Sequence, residues 1–208
     1  MTQIDHVLLA TTDLDRGQDQ LWRAYGLECT AGGRHLRWGT ANRIVPLGAQ
    51  YLELVAVDDR DLAATSPLGR AVLAQAHSDR LQPIGLCLAT DDLAAVASRL
   101  GRVPAAGSRT LADGSELRWT SVGVEEAFGR LQLPFFLTWE NRSRHPGLAP
   151  AVHRTPARQI AFVEVGGSEQ VLESHLGGAI HGVRPVGGAP GVRSLGLGLD
   201  DGSTLLLP

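Results

Sequence analysis

The sequence predicts an α+β fold of three successive rounds, each ordered strand, helix and three strands (βαβββ). Apolar runs of strand length alternate with short amphipathic stretches in one recurring order. Two short segments also recur at nearly one offset. Thr12-Asp13-Leu14 returns as Asp91-Asp92-Leu93, and Leu36-Arg37-Trp38 as Leu117-Arg118-Trp119.

In the first round, residues 4–11 are an apolar run ending in a turn-like Thr-Asp. The helical stretch 14–25 follows and stops at Gly26, a residue suited to the left-handed end of a helix. Strands are expected at 34–38, 42–47 and 51–57. The second round repeats this with a strand at 83–90, a helix at 93–100 ended by Gly101, and strands at 116–121, 127–132 and 135–140. The third has a strand at 159–165, a helix at 168–176 with Ser168 as N-cap, and Gly177-Gly178 at its end. Strands at 183–186, 192–199 and 203–207 complete it, with Gly187, Gly188, Pro190 and Gly191 forming a turn. Ser66-Pro67 opens a connecting helix over 68–77, because Pro is tolerated in a first helical turn. Residues 141–156, rich in Pro and Arg, read as an extended surface linker. The organisation is thus a first module at 1–57, a connecting helix within 58–82, a second module at 83–141, a linker at 142–157 and a third module at 158–208.

Composition narrows the function classes. A chain of 208 residues with 43% hydrophobic and 20% charged residues is an ordinary globular sequence. The net charge of −3 provides no field for nucleic acid or anionic lipid. All 19 basic residues are arginine, which excludes Schiff-base and P-loop lysines. That usage, with 25 glycines, points to a GC-rich bacterial genome. Cys29 and Cys87 stand alone, so neither a disulfide framework nor a thiolate zinc site is expected. Met1 leads into the apolar run without a basic n-region, and no stretch is long enough to span a bilayer, so a cytoplasmic location is expected.

Five segments carry a family resemblance: Ile4-Asp5-His6-Val7, Gly39-Thr40-Ala41-Asn42-Arg43, Tyr51-Leu52-Glu53-Leu54, Pro134 through Glu140, and Arg144-His145-Pro146. Over residues 3–156 the chain resembles glyoxalase-like domain proteins of the vicinal-oxygen-chelate superfamily, which includes glyoxalase I, extradiol dioxygenases and bleomycin-resistance proteins. The resemblance implies that two paired modules form a cupped mixed sheet around a ligand, with the third round added at the C-terminus. Metal-dependent members place a ligand on the first and last strand of each module. Carried over, this implies His6 and Glu53 in the first module. The second offers Gly85 and, depending on register, Leu137 or Thr138. Half a metal site is therefore expected, and a divalent metal is disfavoured.

His6 and Glu53 are the candidate catalytic pair, expected on adjacent strands and facing one cavity with Tyr51 and Val55 beside Glu53. An apolar cup alone would raise the Glu53 pKa, whereas a neighbouring imidazolium would lower it and couple the two titrations. Candidate ligand-binding residues are Trp38, Asn42, Arg43, Arg118, Trp119 and Trp139: indoles as walls, arginines as bidentate anchors. Cys87 reads as an inert buried thiol, and His145 and His153 as part of a solvated basic segment with Arg142, Arg144 and Arg154. Three functions remain open. The first is a lyase or isomerase acting on a small oxygenated compound through His6 and Glu53. The second is a metal-free binder of the bleomycin-resistance type, and the third a structural module whose third round covers the cup or an oligomer face. The expected partner is a small molecule rather than nucleic acid or membrane, with a homodimer left open.

Overall fold

In the computed structural model the described residues are 1–75, 80–111 and 113–207. The first round folds as β1 (Thr2–Ala10), α1 (Leu14–Gln20), β2 (Thr30–His35), β3 (Thr40–Pro46) and β4 (Tyr51–Val57). Asp13 caps α1 by accepting the Arg16 N–H at 2.9 Å, and the helix widens into a π-helical turn over Leu21–Tyr25 before Gly26 ends it at φ 68°. Two helices, α2 (Arg60–Thr65) and α3 (Pro67–Gln75), fill the connection; the expected helical residues 76 and 77 lie outside the described residues. The second round comprises β5 (Gln82–Thr90), α4 (Leu93–Leu100), β6 (Ala105–Leu111), β7 (Glu116–Val122), the short α5 (Val124–Ala127) and β8 (Phe135–Trp139). The third comprises β9 (Ala157–Gly166), α6 (Glu169–Leu176), β10 (Val183–Val186), β11 (Gly191–Leu199) and β12 (Thr204–Leu207).

The first eight strands curve into a barrel-like cup in the order β1-β4-β3-β2-β6-β7-β8-β5. β1 runs parallel to β4, and β5 parallel to β8, while β1 and β5 join the halves as an antiparallel pair. The opposite seam is slight: β2 meets β6 only at Gly33–Leu111 and Arg34–Thr110. Side-chain alternation then sorts the residues by face. His6, Leu8 and Ala10 turn inward from β1, as do Tyr51, Glu53 and Val55 from β4, and Phe135, Leu137 and Trp139 from β8. Their neighbours Val7, Leu9, Leu52, Leu54 and Phe136 turn outward into a second apolar layer.

Three expectations need correction. The strand expected at 34–38 ends at His35, because Leu36–Gly39 form a turn closed by Trp38 N–H donating to the His35 carbonyl at 2.8 Å. The two Leu-Arg-Trp segments are therefore not equivalent: one lies in the β2–β3 turn and the other within β7. The strand expected at 127–132 is absent; α5, begun after Gly123 at φ 85°, ends at Ala127, and bends and turns follow it. The missing strand is β6, whose Ala-Ala-Gly-Ser-Arg-Thr-Leu sequence has little β propensity and is held by pairing with β7.

The third round keeps the element order but not the pairing. Its sheet runs β10-β9-β11-β12, so its first strand is interior and beside its second. Ile160, Val163, Leu195 and Leu197 pack with the outward-facing barrel residues, and none of the cup's inner cluster comes from this sheet. It backs the barrel and does not cover the cup. Gln50 ties the two together, donating to the Ile4 carbonyl at 3.2 Å and accepting the Ile160 N–H at 2.7 Å. No helix among the described residues is long and apolar enough to cross a membrane.

Candidate active site

The cup holds a small cavity of about 30 Å³, which shares His35, Trp38 and Val124 with a neighbouring surface cleft of about 270 Å³. Part of the lining is polar, with His6, His35, Asn42, Tyr51, Glu53 and Arg109. The rest is apolar, with Leu8, Leu68, Val124, Phe128, Phe135 and Leu137. Trp38, Trp119 and Trp139 complete the lining. They meet edge to face, Trp38–Trp119 at 6.1 Å and Trp119–Trp139 at 5.6 Å between ring centres.

Parallel pairing of β1 and β4 places His6 beside Glu53, with Nε2 3.3 Å from Oε2. Both residues are buried, at 3% and 5% exposure. Behind His6, Nδ1–H donates to Asp5 Oδ1 at 2.6 Å, which leaves Nε2 as the ring atom facing Glu53 and the cavity. Asp5 Oδ2 also accepts from Trp139 Nε1 at 2.9 Å and from His145 Nε2 at 3.2 Å. Burial would raise the Asp5 pKa, but the hydrogen bonds from His145 and His6 and the charges on those rings hold it well below the ordinary carboxylate value. Tyr51 stacks on His6 at 4.4 Å and fixes the ring plane.

Glu53 is held on its other side by Asn42 on β3, whose Nδ2 donates to Oε1 at 2.7 Å. The Gly33 N–H, donating to Asn42 Oδ1 at 2.7 Å, fixes which way that amide points. This approach needs a glycine at 32, since a Cβ there would lie 2.2 Å from Asn42 Oδ1. His35 Nε2 lies 3.7 Å from Glu53 Oε1, and burial pushes the His35 pKa down to about 4, so the ring is neutral near pH 7. Burial would raise the Glu53 pKa, but the fields of His35 and His6, the Asn42 bond and the field of Arg109 bring it below the ordinary value. The expected neighbourhood of an imidazole, rather than the apolar cup, governs Glu53.

The other candidates divide by face. Asn42, Trp119 and Trp139 turn inward, and Trp38 reaches the mouth from its turn. Arg43 faces away, bonded to Gln18 and Asp15 of α1 at 2.7 and 2.5 Å, and Arg118 pairs with Glu116 on the exposed face of β7. The structure brings neither arginine to the cavity, because each sits next to an inward-facing residue on its strand. His145 is not solvated: two 3₁₀ turns, Arg142–Arg144 and Pro146–Leu148, insert it against Asp5, Tyr51 and Trp139. His153 is likewise engaged, accepting the Glu28 N–H and donating to the Pro46 carbonyl. Sequence reasoning missed Asp5, His35, His145 and Arg109. For Asp5 the adjacent Asp-His pair was the available signal. Arg109 had none, because its strand was not expected.

A four-ligand metal site does not fit these residues. Leu137 takes the inward position on β8 while Thr138 faces outward. The space beside Gly85 is filled by the Phe128 ring, 3.0 Å from where a Cβ would stand. Asp5, His6 and Cys87 form one cluster of ligand-type groups among the described residues. Asp5, however, already accepts from three donors, and burial, followed by the charges of Asp5 and Glu53, keeps the Cys87 thiol protonated.

The glyoxalase-like domain family matches residues 4–176. The chain belongs to this family. Among solved structures it resembles a hypothetical protein from Staphylococcus aureus at 16% identity and a TM-score of 0.67, covering 99% of this chain and 85% of that one. That likeness extends over the third sheet as well as the barrel. It also resembles the Streptomyces coelicolor methylmalonyl-CoA epimerase in complex with 2-nitronate-propionyl-CoA, at 20% identity and a TM-score of 0.48, covering 68% of this chain and 99% of that one. The Mycobacterium tuberculosis methylmalonyl-CoA epimerase shows 17% identity and a TM-score of 0.43, covering 66% and 86%. No curated protein matches the sequence.

Proposed function

We propose that this glyoxalase-like protein is a lyase or isomerase that moves a proton on a small oxygenated compound held in the cup, with His6 and Glu53 as its acid/base centre. The observation that carries the reading is the buried Asp5–His6–Glu53 row, whose His6 Nε2 and Glu53 Oε2 lie 3.3 Å apart on the cavity lining. Asp5 orients the ring, as the carboxylate does in hydrolase triads, so His6 Nε2 is the atom that takes and returns a proton. Glu53, ionised and below its ordinary pKa, stabilises the imidazolium that results. Because Glu53 is held by Asn42 and the two histidines, its negative charge is preorganised and needs no rearrangement during transfer.

The test is solvent exchange. Small aldehydes, ketones and their 2-hydroxy derivatives are incubated with the protein in deuterium oxide, and loss of the C–H next to the carbonyl is followed by NMR. Exchange with at least one compound is expected, falling about 10²–10⁴-fold in His6→Gln and strongly in Glu53→Gln. No exchange across the panel, or exchange unaltered in both variants, overturns the proposal. Tight binding of a planar apolar compound without exchange would favour the sequestering reading, which the three indoles of the lining support.

A further inference from the structure

Arg109 is the one arginine among the described residues that is deeply buried, at 5% exposure. It projects from β6 into the cavity. Other arginines of the molecule have anionic or aromatic partners: Arg34 with Asp58, Arg43 with Asp15, Arg102 with Glu126, Arg158 with Asp200, Arg184 over Phe162. Arg109 has none. Its Nε is buried without a hydrogen-bond partner, and among the described residues no carboxylate lies within ion-pair distance of its guanidinium. Its field nevertheless reaches Glu53, His35 and Tyr51, helping to lower the first two pKa values.

A guanidinium carries five donors in a rigid fork, and burying it without an acceptor costs several kcal/mol. A fold that tolerates this at the wall of a cavity has a donor set waiting for an acceptor. The chemistry of the surroundings restricts what that acceptor is. One carboxylate, Glu53, lines the cup and a second, Asp5, is buried behind His6, against this single permanent cation, so a doubly charged anion would meet net repulsion. Phe128, Phe135 and Leu137 in the same lining are apolar and offer no further donors to a phosphate's third oxygen. A planar monoanion with two oxygens and an apolar body matches this lining.

We infer that Arg109 is the anion-recognition residue of the cup, and that the compound bound there is a small carboxylate with an apolar portion. The carboxylate takes the guanidinium fork, the apolar portion lies against Phe128, Phe135 and Leu137, and the intervening carbon is presented to the His6–Glu53 pair. This assignment names the substrate class for the proton-transfer site and rests on that reading for what happens to the bound compound, though not for its recognition.

The test compares acids with their uncharged isosteres on the full chain. Pyruvate, benzoate and phenylacetate, their primary amides, and inorganic phosphate are titrated at up to millimolar concentration, using indole fluorescence and calorimetry. The wild-type protein is expected to bind at least one acid about tenfold or more tightly than its amide, and more tightly than phosphate. Arg109→Gln is expected to abolish that preference while leaving amide binding in place; Arg109→Lys restores part of it, and Glu53→Gln keeps it. The ligand-free Arg109→Gln protein is expected to be no less heat-stable than wild type, since no internal partner is lost. A residue with a merely structural role would give the opposite result. The inference is overturned if no acid binds, if acid and amide bind equally, if phosphate is preferred, or if the preference survives in Arg109→Gln. Should that variant fail to fold, the acid–amide comparison on wild type and Arg109→Lys still decides. An acid preference that depends on Arg109, together with no deuterium exchange, would refute the proton-transfer reading alone. Exchange dependent on His6 with no acid preference would refute the Arg109 assignment alone.

Discussion

Replacing Asp5 by Asn changes one atom in the most enclosed part of the site. The carboxylate accepts three hydrogen bonds, from His6 Nδ1, Trp139 Nε1 and His145 Nε2, at 2.6, 2.9 and 3.2 Å. An amide of the same shape keeps the two at Oδ2 if its oxygen points there. Its NH₂ group then faces His6 Nδ1, which must give up its proton and become the acceptor. The ring is left in the tautomer with Nε2–H, the wrong one for taking a proton from the cavity. A bond to a charged acceptor contributes about 1 kcal/mol more than a neutral one, so three such bonds place the loss near 3 kcal/mol. Urea denaturation read by far-UV circular dichroism measures this as a lower midpoint at unchanged slope. The acid limb offers an independent check. Because Asp5 is held well below its ordinary pKa of 3.8, its contribution is present above that pH and lost as pH falls through the lower folded value. Asp5→Asn should therefore flatten the steepest acid portion of the stability curve. A loss below about 1 kcal/mol, or ¹⁵N shifts showing His6 protonated at Nε2 alone in the wild type, would refute the reasoning.

The remaining predictions concern groups around the same cavity. His35 has a folded pKa of about 4 against 6.5 when free, so the stability it confers is full above pH 6.5 and lost as pH falls towards 4. The loss over that window is about 3 kcal/mol, and His35→Gln should remove most of this slope from midpoints measured across it. Gly32→Ala places a methyl against Asn42 and should cost about 1–3 kcal/mol in the same assay, while weakening any activity that depends on Glu53. Elemental analysis of protein purified without chelators or added metal should find zinc, iron, nickel and manganese well below one per chain. A near-stoichiometric value would mean that groups other than Gly85 and Leu137 complete a metal shell.

Much of the barrel was legible because its strands are apolar runs bounded by turns, and β4 and α4 fall where the pattern puts them. The pairing of His6 with Glu53 was legible too, through the family resemblance and the two-residue period. That same period, applied more strictly, would have removed Arg43 and Arg118: neither can share a face with Asn42 or Trp119, its immediate neighbour. Arg109 and His35 were hidden for a different reason. Each lies in a weakly patterned, glycine-bearing strand whose existence depends on partners far along the chain, so no local window reveals that it turns inward. The third round misled in the same way: its element order copies the first two, but order alone does not specify which strands become neighbours.

The insertion of His145 has a consequence for what counts as the smallest working piece of this protein. The barrel is complete at Trp139, yet the imidazole that shares Asp5 arrives six residues later, from a segment whose path is fixed by contacts at Pro46, Glu28 and Gly26. A chain shortened to its eight barrel strands would keep His6 and Glu53 but lose one of the donors that keep Asp5 ionised. It would also expose the outer apolar layer now covered by β9 and β11. The geometry of the site and its structural backing therefore depend on each other. The family match runs on past the barrel to residue 176, through β9 and α6.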